Sequence, residues 1–112
     1  MVQDMPFPGT CAYITAKGEL KMLAKVMAQG LASKGIRVTS VAPGLAMAGL
    51  TKQIYDCDTA FRIKATQAIQ LSAFQSPESV AAAFSFLCSR DPHCMTVATI
   101  LEDGGCTLVA TE

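Results

Sequence analysis

Gly35-Ile36-Arg37-Val38-Thr39-Ser40-Val41-Ala42-Pro43-Gly44 is the stretch on which the fold turns. It is short, β-branched, and bounded by a glycine and a proline–glycine pair, so Ile36 to Ala42 reads as a strand. The nearly continuous apolar character from Val38 to Ala42 predicts a strand buried on both faces, as in a parallel sheet. Pro43-Gly44 ends it, because proline cannot donate to a ladder.

Upstream, Cys11 to Lys34 carries a helical pattern. Leu20, Leu23, Ala24, Met27 and Leu31 recur at steps of three and four and form one apolar face. Lys21, Lys25 and Gln29 fall on another. Gly35 stands where a left-handed C-cap belongs, just after Lys34, whose charge suits the negative helix end. Met5 to Thr10, with its prolines and glycine, reads as a loop, and Thr10 as an N-cap.

Downstream, Ala46 to Gln70 is mixed: Thr51–Tyr55 and Ala60–Ile69 fit helices, with Asp56-Cys57-Asp58 as the break. Ser76-Pro77-Glu78 is a sharper start, with a capping serine and proline at the first helical position. Val80, Phe84 and Leu87 mark the apolar face of a helix running to about Ser89. Asp91-Pro92 breaks the chain. Val97 to Glu102 then reads as a second strand, ended by Asp103-Gly104-Gly105. Strands separated by so long a helical stretch pair in parallel through a crossover. The fold class is therefore α/β, with two strands plus helices. Two strands make a poor sheet, so residues 1–112 are expected to be a single partial domain.

Composition narrows the function. The 112 residues suffice for one small domain, and 51% apolar against 16% charged residues argue against disorder. Nine basic and nine acidic side chains cancel, leaving no basic excess for nucleic acid and no polybasic run for a membrane surface. No apolar run is long enough to span a bilayer. Met1-Val2-Gln3-Asp4 lacks the pattern of a secretory signal. The five cysteines form no Cys-x-x-Cys pair and match no metal spacing. They read as reduced, mostly buried thiols of a cytoplasmic protein, and the six methionines as core filler.

Tyr13 and Lys17 carry the chemistry. Four residues apart in the first helix, they share one face. A cation one turn from a phenol favours the phenolate by charge attraction, which suits a general acid or base. Taken alone, the spacing fits an exposed aromatic–cation pair equally well.

The surroundings add weight. Pro8-Gly9 precedes Tyr13-Ile14-Thr15-Ala16-Lys17-Gly18. Then come Gly35-Ile36-Arg37-Val38, Ala42-Pro43-Gly44, Ser76-Pro77-Glu78, Phe86-Leu87-Cys88-Ser89 and Asp103-Gly104-Gly105. In this order the chain closely resembles the C-terminal half of the classical short-chain dehydrogenase/reductase family.

The resemblance implies the C-terminal portion of a Rossmann-type, doubly wound parallel sheet. It also implies an oxidoreductase that uses NAD or NADP to interconvert small-molecule alcohols and carbonyls. Tyr13 would be the proton donor or acceptor. Lys17 would bind the nicotinamide ribose and favour the tyrosinate. Tyr13, Lys17, Pro43, Gly44, Ala46 and Ala48 would contact the cofactor, the last four as the loop beside the nicotinamide. Ala46 to Gln70 falls where the family builds its variable substrate lid. The first helix resembles one that packs between subunits, so a homo-oligomer or association with a family relative is expected. A non-enzymatic interaction module is the alternative function.

The chain departs from the family pattern in several places. Ala48 stands where a threonine is usual, Thr39 where an asparagine is common, and Thr96-Val97 where Thr-Gly is usual. No Gly-x-x-x-Gly-x-Gly turn occurs to hold a pyrophosphate, and no Asn-Ala-Gly segment. The family's catalytic serine would fall just before Met1. On this reading the first five strands of the family's seven-stranded sheet are missing, and these residues alone are catalytically silent.

Overall fold

The computed structural model describes residues 9–108. The predicted opening loop lies outside these residues except for Gly9 and Thr10. Helix α1 spans Cys11–Leu31. The Thr10 carbonyl accepts its first bond, from the Ile14 N–H at 2.9 Å. The Thr10 side chain does not cap the helix, contrary to expectation. The helix also ends earlier than Lys34: Ala32–Lys34 tighten into a 3-10 turn. Gly35 then closes the turn in the left-handed conformation (φ +68°), and its N–H donates to the Ala32 carbonyl at 3.0 Å. Glycine adopts this backbone without a Cβ penalty.

The apolar face of α1 is not a core face. Ala28 is its buried residue, while Leu20 and Leu23 are 55% and 52% exposed and Met27 is exposed too. Met22 is likewise on the surface, which corrects the reading of the methionines as core filler.

Strands β1 (Ser40–Pro43) and β2 (Thr99–Glu102) pair in parallel, with Ser40 opposite Thr99 and Pro43 opposite Glu102. Each is shorter than the sequence predicts. Val97 has a positive φ of +66°, and this turns the chain out of ladder geometry just before β2. Upstream of the ladder, Val38 is held by irregular bonds: its carbonyl accepts from the Val97 N–H at 2.8 Å, and its N–H donates to the Thr96 Oγ1 at 3.1 Å. Ile36 to Thr39 therefore lie outside the strand. Burial is also less than predicted: Ala42 is buried, whereas Val38 to Val41 are only half-buried.

Arg37 anchors this irregular lead-in. Its guanidinium donates to the Leu87 carbonyl at 2.8 Å, the Ser89 carbonyl at 3.3 Å and the Met95 carbonyl at 3.2 Å. A cation beside the last carbonyls of a helix suits the helix dipole.

Between the strands lie α2 (Gly49–Cys57), α3 (Thr59–Ala68) and α4 (Pro77–Cys88). Asp58 breaks the first pair as expected, its carboxylate accepting from the Phe61 N–H at 2.9 Å. Ser76 caps α4, accepting from the Ser79 N–H at 3.1 Å, with Pro77 at the first position. Such caps are worth about 1 kcal/mol. Leu87 is buried and Val80 half-buried, but Phe84, predicted to share their face, is exposed.

The cysteines also correct the sequence reading. Cys11, Cys57, Cys88 and Cys94 are exposed, and Cys106 is half-buried. Burial and the nearby Asp103 charge push the Cys106 thiol up. Among the described residues no helix is long and apolar enough to cross a membrane, and no cluster of three potential ligands could hold a metal.

Candidate active site

Tyr13 and Lys17 sit in the N-terminal half of α1, and their side chains lie together. The Lys17 Nζ is 5.5 Å from the centroid of the Tyr13 ring. Tyr13 is exposed and Lys17 half-buried. This half of α1 faces β1 and the Pro43-Gly44 bend at its end. Between them opens a cleft of about 330 Å³, whose lining includes Tyr13, Lys17, Pro43 and Gly44. Four of the six predicted site residues thus share one cavity.

Ala46 and Ala48 are not in the cleft lining. Ala46 forms an isolated parallel bridge with Gln75. Ala48 precedes α2, its N–H donating to the Ala46 carbonyl at 2.8 Å, and its methyl group cannot cap the helix. Sequence reasoning missed Ser40, Thr51, Thr99 and Lys21, which also line the cleft. Lys21 follows Lys17 by one helical turn, a spacing that could have placed it there. Ser40, Thr51 and Thr99 gave no such local signal.

Gly44 has the tightest surroundings. A Cβ there would stand 2.7 Å from the Asp103 Cα and 2.9 Å from its Cβ. The Gly44 N–H also donates to the Glu102 carbonyl at 2.8 Å. Asp103 in turn is buried. Its carboxylate accepts from the Gly105 N–H at 2.9 Å, the Thr107 N–H at 2.9 Å and the Thr107 hydroxyl at 2.7 Å. Burial pushes its pKa up, but these hydrogen bonds outweigh that and hold it below the ordinary value. The Pro43-Gly44 bend thus rests on a cross-bonded turn.

A parallel strand pair, a Tyr–Lys pair on the helix beside it, and a Pro–Gly bend closing one cleft invite comparison with known folds. A family model described as enoyl-(acyl carrier protein) reductase matches residues 1–107. Glucose 1-dehydrogenase 2 of Bacillus subtilis is 36% identical over 110 residues, which are 98% of this chain and 42% of that protein. Dehydrogenase/reductase SDR family member 4 of Oryctolagus cuniculus is 35% identical over 100 residues, 89% of this chain and 38% of that one. This chain belongs to the short-chain dehydrogenase/reductase family.

Solved structures agree on the fold. 4-Hydroxyisoleucine dehydrogenase complexed with NADH superposes with a TM-score of 0.88 at 25% identity, over 95% of this chain and 43% of that one. Acetoin dehydrogenase from Enterobacter cloacae gives 0.80 at 30% identity, over 99% and 42%. The chain spans about two fifths of the length of the curated relatives it matches. Its fold is the C-terminal portion of a Rossmann-type α/β sheet.

Two family departures acquire a structural meaning. Val97, where glycine is usual, keeps the positive φ that glycine tolerates best. Thr39, where asparagine is common, has its hydroxyl 3.4 Å from the Met95 carbonyl, a long hydrogen bond away from the cleft.

Proposed function

We propose that this chain is the catalytic, C-terminal part of an NAD(P)-dependent oxidoreductase that interconverts small-molecule alcohols and carbonyls. The observation that carries the reading is the juxtaposition of Tyr13, Lys17 and the Pro43-Gly44 bend around one cleft. Its donor set fits the nicotinamide–ribose end of the cofactor: an ammonium and a phenol to meet ribose hydroxyls, and a bend at the end of β1 to meet the ring. When bound, the cofactor supplies or accepts the hydride.

Lys17 would hold the ribose and, as a neighbouring cation, favour an anionic Tyr13 oxygen in the reaction. Tyr13 would pass its hydroxyl proton to the carbonyl oxygen in reduction and take a proton from the alcohol in oxidation. Pro43, Gly44, Ala46 and Ala48 would form the cofactor loop. The last two act from outside the present cleft, through a backbone that the Gln75 bridge fixes. The helical segment from α2 to α3 would cover the substrate.

These residues by themselves supply no glycine-rich pyrophosphate turn, so on this reading the isolated polypeptide is silent. The test joins it behind the N-terminal part of a family relative. The fusion should show NAD(P)-dependent alcohol oxidation that the isolated chain lacks. A fusion that folds and binds cofactor but turns over no alcohol or carbonyl would refute the assignment.

One observation favours a second reading, a module that associates with family members. The exposed apolar residues Leu20, Leu23 and Met27 lie on one side of α1, the helix expected to meet another subunit.

A further inference from the structure

The short segment Phe74-Gln75 touches both the loop that follows β1 and the helix that flanks the cleft. On the loop side, the Gln75 N–H donates to the Leu45 carbonyl at 3.0 Å, and the Met47 N–H donates to the Gln75 carbonyl at 2.8 Å. These bonds make the Ala46–Gln75 bridge. On the helix side, the Phe74 ring meets the Tyr55 ring edge-on, with centroids 4.9 Å apart and planes at 77°. Tyr55 belongs to α2, whose Thr51 lines the cleft. Tyr55 also meets Arg62 of α3, whose guanidinium carbon stands 4.8 Å from the ring centroid.

Tyr55 therefore joins α2 and α3 to each other and both to Phe74. Of the two helices α2 has no buried residue, whereas the end of α3 is fixed independently: Ala65 and Ile69 are buried, and the Leu71 N–H donates to the Gly104 carbonyl at 3.0 Å. The side-chain ion pair of α2, Lys52 to Asp56 at 2.7 Å, is exposed and internal to the helix. With the end of α3 anchored, α2, whose last turn meets Phe74 through Tyr55, is the part that loosens when the ring contact goes.

We propose that Phe74 latches α2 beside the cleft, and that Gln75 ties the same point to the loop that follows β1. Loop and helix then share one anchor, so displacement of Leu45, which lines the cleft, by a bound molecule reaches Tyr55 through Gln75 and Phe74. Tyr55 and Phe74 are positioning residues in this scheme. It rests on the oxidoreductase reading only for the identity of the bound molecule.

Amide hydrogen exchange on the isolated chain tests the latch without cofactor or substrate, so its outcome is separate from that of the fusion experiment. Phe74→Ala should speed exchange across Lys52–Cys57 about tenfold, the order set by one lost ring contact. Val41–Gly44 should keep their protection. Phe74→Tyr, which retains the ring, should restore slow exchange in α2. Tyr55→Leu should reproduce the Phe74→Ala pattern from the other side of the contact. Unchanged exchange in α2 overturns the proposal, as does an α2 already unprotected before substitution. Equal loss of protection in every segment with both Phe74→Ala and Tyr55→Leu assigns the ring pair to general stability and also overturns it.

Discussion

The Gly44 Cα packs against the Asp103 backbone so closely that an added methyl group would stand 2.7 Å from the Asp103 Cα. The cleft-lining bend after β1 and the turn after β2 are thus a single packed unit. What they meet is backbone, which cannot swing aside as a flexible side chain would. Gly44→Ala should destabilise the chain by about 1–3 kcal/mol, the usual range for overpacking. A fall in the denaturant midpoint, with shifted amide resonances at Asp103 to Gly105, checks this.

Asp103 makes the same unit sensitive to acid. Its three accepted hydrogen bonds hold the folded pKa below the ordinary 3.8. The folded carboxylate therefore stays charged to lower pH than the unfolded one. Its contribution is fully present above the unfolded value and is lost as pH falls through the folded value. Amide exchange at Gly105 and Thr107 should stay slow at neutral pH, after correction for intrinsic rates, and accelerate only below about pH 4. Asp103→Asn should remove that pH dependence.

Val97 has a positive φ of +66°, costly for a β-branched residue. Val97→Gly relieves that cost but frees the unfolded chain. The net effect should be a stabilisation of about 1 kcal/mol, from a left-handed penalty of roughly 1–2 kcal/mol. Equilibrium urea unfolding of the two proteins gives the difference directly.

Much of this architecture is legible in local sequence. Gly35, Asp58 and Ser76-Pro77 each act through backbone or capping chemistry within a few residues, and each sits where local chemistry places it, whereas Pro43 pairs in the ladder opposite Glu102 and does not end it. The strand lengths are not legible, because Val97 bends the partner of Val38 and no local signal in a Thr-Val pair announces a positive φ. The Arg37 anchor and the Ala46–Gln75 bridge join residues far apart in sequence. Apolar periodicity marks a face of α1 but cannot say what covers it, so Leu20 and Leu23, which the pattern turns toward a core, lie exposed. Tyr13 and Lys17 are legible by spacing, whereas their sharing a cleft with Pro43 depends on how α1 is placed over β1.

The exposed side of α1 should make the isolated chain self-associate or bind a family relative. Leu20, Leu23 and Met27 form the patch, and β1 and β2 are the whole of the described sheet, so each strand has an outer edge without a strand partner there. Sedimentation velocity should show species above the monomer. The double substitution Leu23→Lys and Met27→Lys should shift the distribution toward monomer. A monodisperse monomer before substitution, with strong exchange protection across Val41 and Ala42, would show that the chain closes its own core.

In the proposed reaction Tyr13 moves the proton. The most direct test is Tyr13→Phe in the fusion that completes the cofactor site, with turnover and cofactor affinity measured on the same sample. The substitution keeps the ring beside Lys17 and removes only the hydroxyl. Turnover should fall by at least about a hundredfold, the lower range for loss of a general acid, while cofactor affinity changes little. Full activity in the Tyr13→Phe protein would contradict the assignment of Tyr13 as proton donor and acceptor.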